Sequence, residues 1–120
     1  MIEAGSRQRN QPAPPHVVYE ALTVPNRDPA RQWLLLLDDE RFPDIIEARV
    51  PDLVVWSSIW DRRPDARIRF ELPRDRGRYG TDLNWVLLVD EPPPDASLLG
   101  HLRRRLNELI NANLRYTFGQ

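Results

Sequence analysis

The sequence predicts an α+β fold. A curved antiparallel sheet of about five to six strands wraps one long C-terminal helix, with one short helix after the first strand. Three observations carry this expectation. The last thirty residues read as a single amphipathic helix behind a triple proline. Four segments between residues 44 and 89 read as strands, and short polar turns separate them. With 120 residues the chain is expected to be one domain spanning 1–120.

Residues 1–11 (MIEAGSRQRNQ) carry Gly5 and many polar groups, and two readings stand: a weak edge strand or a frayed terminus. PAPP at 12–15 opens a short helix, His16 to Leu22, with Val18, Tyr19 and Leu22 at helical spacing; VPNRDP at 24–29 ends it. Trp33 to Leu37 is apolar, short and ambiguous between strand and helix. The four strands expected next are Asp44–Val50, Leu53–Trp60, Ala66–Leu72 and Thr81–Val89.

Side chains alternate across a strand, so the turns decide which residues share a face. A turn on Pro51-Asp52 sets Val50 opposite Leu53. A loop over Asp61–Ala66 sets Ile59 near Ile68 and Ser57 near Phe70. A turn on Arg76-Gly77 sets Phe70 opposite Leu83. The expected inner face is Ile46, Ala48, Val50, Leu53, Val55, Ser57, Ile59, Ile68, Phe70, Leu72, Leu83, Trp85, Leu87 and Val89. Glu47, Arg49, Arg67, Arg69, Glu71, Asp82 and Asn84 then face outward, as suits an antiparallel meander with one wet face. The same registers turn Val54, Trp56, Trp60, Val86 and Leu88 outward, which makes them a candidate interface for a homodimer or another partner. The alternative is that Arg67 and Arg69 stack over the two tryptophans.

Pro92, Pro93 and Pro94 end the last strand, and Asp95 suits the positive end of a helix. Leu98, Leu99, Leu102, Leu106, Leu109, Ile110 and Leu114 fall within an arc of roughly 160° at helical spacing. Arg104, Arg105, Glu108, Asn111 and Arg115 lie outside it. Asn113 projects into the apolar arc, where it bonds to sheet backbone, to a trapped water or to a ligand. Gly119 is the expected helix stop.

Net charge is −1, so no overall field draws nucleic acid. The arginine-rich run RPDARIRFELPRDRGR is interleaved with acids and reads as a solvated hairpin. No cysteine is present and the two histidines are isolated, which excludes thiol chemistry and the usual zinc set. No phosphate-binding glycine loop stands between a strand and a helix. No apolar run approaches membrane-spanning length. Met1 to Gln11 has no apolar core of a signal peptide, so a cytoplasmic location is expected.

APPHVVYEAL, PDLVVWSSIW with ARIRFEL, GTDLNWVLLV and GHLRRRLNELINANLRYTFGQ occur in the order first helix, central hairpin, last strand, closing helix. In that order the chain resembles the START-like superfamily, also called SRPBCC, which contains polyketide cyclases and aromatases and has the helix-grip fold. The resemblance implies a cavity between sheet and long helix that holds an apolar or amphipathic small molecule. The residues expected to line it are Trp33, Ser57, Phe70, Trp85, Leu102, Leu106, Ile110 and Asn113. No catalytic residue, metal or cofactor is expected. The leading reading is therefore a small-molecule binding protein. One alternative is a cyclase or aromatase that works by positioning. The other is an interaction module that uses the outer face, with a core filled by Trp33, Phe70 and Trp85.

Overall fold

The computed structural model describes residues 1–73 and 80–119. Its elements are β1 (Ile2–Gln11), α1 (Pro15–Thr23), β2 (Ile45–Arg49), β3 (Leu53–Ser57), β4 (Arg67–Glu71), β5 (Thr81–Val89) and α2 (Ala96–Leu106). A π-helical segment, Asn107–Leu114, continues α2, and one α-helical turn, Arg115–Thr117, closes it. The five strands form one antiparallel sheet in the order β1-β5-β4-β3-β2. This is the expected plan, with five strands in place of the five-to-six range. The expected turn on Arg76-Gly77 lies outside the described residues.

The N-terminal stretch is a full strand. β1 pairs with β5 from Ile2↔Val89 to Gln11↔Thr81, with an irregularity between Glu3 and Gly5. Gly5 marks that irregularity. A Cβ there would lie 2.7 Å from Arg103 Nε, and the Arg103 guanidinium passes over Gly5 to donate to the Ala4 carbonyl. Gln11 Nε2 donates to the Ile110 carbonyl and Arg115 to the Asn10 carbonyl, so the long helix is stapled to β1 along its length.

β4 and β5 have the expected faces. Ile68, Phe70, Leu83, Trp85, Leu87 and Val89 are buried in the core, and Arg69 and Glu71 form an ion pair on the other face. β3 has the opposite parity to the one expected. Arg49 pairs with Leu53, so the β2–β3 loop holds three residues, Val50 to Asp52, and not two. On its other side Val54 pairs with Phe70 and Trp56 with Ile68. A one-residue slip sends every side chain to the opposite face. Val54 and Trp56 therefore point into the core, and Leu53, Val55 and Ser57 do not. Ile46, Ala48 and Val50, expected inside, are exposed at the open edge of β2.

The core is one cluster in which α1 adds Val18 and Leu22, the sheet its inner residues, and the long helix Leu102, Leu106, Leu109, Ile110 and Leu114. Trp56 is its hub. Its indole Nε1 donates to the Leu22 carbonyl at 2.8 Å, its ring stacks on Trp33 at 6.0 Å, and Phe70 meets it edge-on at 4.7 Å. Asp95 caps α2 by accepting from the Leu98 N–H, and Gly119 takes φ +93 past the last turn.

Candidate functional site

Most of the expected cavity lining is present but encloses nothing. Phe70, Leu102, Leu106 and Ile110 have no accessible surface, and Trp85 is 1% exposed. A side chain without accessible surface borders no water-sized space, open or enclosed. The sheet–helix interior is filled at these positions, chiefly by Trp56, Trp85 and Phe70.

The two polar residues assigned to that cavity lie elsewhere. Ser57 shares the outer parity, pairs with Arg67, and uses its Oγ to accept from the Asp44 N–H at 2.8 Å. Asn113 is half-buried and its carbonyl accepts from Thr117 Oγ1. Asn111 is the buried amide instead, donating to Asn107 Oδ1 at 2.9 Å. The π-helical segment is the reason. Each of its i→i+5 turns carries one residue more than an α-turn, so the face predicted from 100° steps drifts past residue 107.

The candidate interface is corrected in the same way. Val54, Trp56 and Trp60 are buried in the core cluster. Val86 and Leu88 do face outward, but Val86 is buried between Ser6 and Arg69, and Leu88 is half-buried beside Arg67 and Glu3. Among the described residues no tryptophan presents an exposed face.

An open site lies at the end of the fold where α1 meets the last turn of the long helix. It is a groove of about 380 Å³ lined by α1, the loop from Val24 to Trp33, and Thr117 and Phe118. Its apolar surface comes from Val17, Ala21, Val24, Trp33 and Phe118. Of the residues first assigned to ligand, Trp33 alone lines this groove. Asn26 shapes the loop. It holds φ 60, a conformation that asparagine tolerates better than most residues, and its Oδ1 accepts from both the Trp33 and Leu34 N–H groups at 2.9 Å. Its Nδ2 donates to the Leu34 carbonyl. Trp33 is thus fixed by Asn26 on the backbone side and by Trp56 on the ring side.

The rim is charged. Glu20 and Arg27 pair with each other across the rim, and Asp28 accepts from the Ala30 N–H. The Arg31 side chain is exposed and has no hydrogen bond or ion pair among the described residues. It also borders an adjoining depression with Gln32, Tyr116 and Gly119. An uncommitted guanidinium beside an apolar groove favours an anionic group.

Residues 33–37, open between strand and helix in the sequence, form neither, and a buried ionic node holds the irregular stretch 33–40 in place. The Glu40 side chain is fully buried. It accepts from Arg105 Nε and a terminal guanidinium nitrogen, from the Leu37 N–H and from Trp60 Nε1. Burial works to raise its pKa, but the Arg105 bonds, the Leu37 N–H and the Trp60 indole outweigh that and hold it below the ordinary value. Arg105, placed on the polar side by the helical pattern, is buried because residues 33–40 cross over it; it also donates to the Leu35 carbonyl. Among the described residues no cluster of metal-ligating side chains occurs. No helix among them is long and apolar enough to cross a membrane.

No family model matches the sequence, and no curated protein matches it. Solved structures do. BH1534 from Bacillus halodurans superposes with a TM-score of 0.69 at 15% identity, over 98% of this chain and 97% of that one. CalU16 from Micromonospora echinospora gives 0.59 at 19% identity, over 94% and 80%. The Aha1 dimer from Colwellia psychrerythraea gives 0.59 at 15% identity, over 93% and 99%. The chain has the helix-grip fold that these neighbours share.

Proposed function

We propose that this protein binds an amphipathic small molecule with a flat apolar body and an anionic head, in the groove beside α1. The observation that carries this reading is Arg31, a cation whose side chain has no partner among the described residues, at the rim of an apolar groove of about 380 Å³. That volume lies near the low end of the roughly 300–1,000 Å³ typical of small-molecule sites. The body rests on the edge of Trp33 and on Val17, Ala21, Val24 and Phe118; the head meets Arg31. Binding requires no titrating catalyst, and the carboxylates lining the groove are the paired Glu20 and Asp28, which accepts from the Ala30 N–H. The cyclase alternative would use the same groove, as a template that folds a reactive chain by positioning. Self-association is a second property favoured for this chain, because the Colwellia neighbour is a dimer.

Two naphthalene dyes test the reading. Anilinonaphthalene sulfonate carries an anionic head, and phenylnaphthylamine has a similar aromatic body without one. The sulfonate dye is expected to bind the folded protein with one-to-one stoichiometry. Arg31→Ala should weaken it by roughly tenfold, the worth of one charge-assisted hydrogen bond, and leave the neutral dye nearly unchanged. Ala21→Phe should displace both by filling the groove. A folded wild type that binds neither dye, or sulfonate binding indifferent to both substitutions, would end the proposal.

A further inference from the structure

The two edges of the sheet are unlike. β1 is stapled by Arg103, Gln11 and Arg115 to and from the long helix. β2 is bare. All five of its residues are exposed, and among the described residues no side chain from another element bonds to it. Its surroundings are apolar: Phe42, Ile46 and Val50 are 51%, 50% and 77% exposed. An open edge strand is a template for another strand, and the charges of β2, Glu47 and Arg49, narrow which strand it can take.

We propose that β2 is the dimer interface of this protein, pairing antiparallel with β2 of a second copy about a two-fold axis at Ala48. The choice of register follows from charge. A two-fold axis perpendicular to a sheet sets one residue opposite its own copy. Centred on Glu47 or on Arg49, the pairing sets like charges face to face, which is destabilising. Centred on Ile46, it sets Glu47 against Ile45. Centred on Ala48, it sets Glu47 opposite Arg49 twice, with Ile46 at the irregularity between Ile45 and Glu47 and Val50 in the hairpin loop left to flank the paired stretch. Both charged pairs within the strand are then complementary. The backbone agrees. The Arg49 carbonyl is turned towards the hairpin, where it accepts from the Asp52 N–H at 3.0 Å. Alternation along the strand turns the Ala48 N–H and carbonyl to the open edge. Within one copy Glu47 and Arg49 already form an exposed ion pair, so the same two groups need only exchange partners across the axis. Glu47 and Arg49 thereby disfavour the registers centred on themselves, and of the remaining two the Ala48-centred register is the one that pairs both charges.

Sedimentation of the wild type over a wide concentration range is expected to show a species of twice the 14.1 kDa chain mass. Glu47→Arg alone, or Arg49→Glu alone, should weaken that dimer by about tenfold or more, because two like-charge pairs replace two opposite-charge pairs. Glu47→Arg combined with Arg49→Glu should restore it, and an equimolar mixture of the two single variants should form a mixed dimer. Ala48→Pro, which removes the donor on the axis but not a bond to β3, should give a folded monomer by circular dichroism and sedimentation. A wild type that stays monomeric at the highest concentration overturns the proposal. So does a dimer whose strength ignores the single charge changes, since the Glu47-centred register would ignore Glu47→Arg, or one that survives Ala48→Pro.

Discussion

The interior and the groove beside α1 share one aromatic stack and end in opposite states. Inside, Trp56 sits between Trp33 and Phe70 and has no accessible surface. Outside, the other edge of Trp33 lines open space. The helix-grip plan brings a sheet and a long helix together at a separation that large side chains can fill. In this chain three tryptophans and a phenylalanine fill it. The difference teaches that the fold alone does not decide whether a cavity exists. The volume of the inward residues decides it, and open space is left where the packing runs out. Here that is the end of α1, where a nine-residue helix is too short to cover the last turn of the long one.

The sharpest way to break this comparison is to empty the interior. Trp56→Ala removes the hub ring and its hydrogen bond to the Leu22 carbonyl. It should cost about 3–5 kcal/mol, the range for truncating a buried aromatic, read from the shift in urea midpoint. If the variant folds, it should bind the neutral dye at a second site, inside. A loss below about 1 kcal/mol would mean that the interior is not close-packed as described.

Glu40→Gln tests the node that holds residues 33–40 over both regions. Gln keeps the shape and loses the charge that faces Arg105, so about 1.5–3 kcal/mol is expected, the worth of hydrogen bonds to charged groups. The sign of the pH dependence is set by the lowered native pKa. A carboxylate stabilised in the native state contributes fully above its unfolded value and loses that contribution as pH falls through the native one. The stability difference between wild type and variant should therefore be full at neutral pH and shrink in acid. A difference that grows on acidification would contradict the geometry at Glu40.

Much of this was legible in the sequence, and the failures have physical causes. Thr81–Val89 has the bounds expected of it, because polar Asp82 and Asn84 alternate with Leu83 and Trp85. β4 was equally clear, with Arg67, Arg69 and Glu71 marking its wet face. β3 offered no such marks. Leu53 and Val55 on one parity balance Val54 and Trp56 on the other, so the face rested wholly on a turn one residue too short. Gly5 counted against a strand at the N-terminus, yet it is the residue that lets Arg103 cross the strand. Arg105 looked exposed because nothing in the helical pattern reveals what will lie on top of it. The groove was the least legible part. Its lining is scattered over α1, a loop and the last residues, and the residue that shapes it, Asn26, stood in a segment read only as a helix stop.

Asn26→Gly gives the smallest expected change in stability and the finest separation of the two regions. Glycine takes φ 60 as readily as asparagine does, so the backbone conformation survives. What is lost is the clamp on Trp33 and Leu34, a set of part-buried hydrogen bonds with net worth of about 1 kcal/mol, because water replaces some of them. The interior does not depend on that clamp, since Trp56 keeps its own bond to Leu22 and its contact with Phe70. The groove does, because Trp33 forms part of its wall. The expected outcome is a stability loss of about 1 kcal/mol with a disproportionate loss of sulfonate-dye affinity. Asn26→Ala should add the strain of a left-handed conformation, roughly 1 kcal/mol more, without further effect on the dye. Equal losses of stability and affinity in Asn26→Gly would show that interior and groove are one unit. Unchanged affinity would show that Trp33 is held by Trp56 alone.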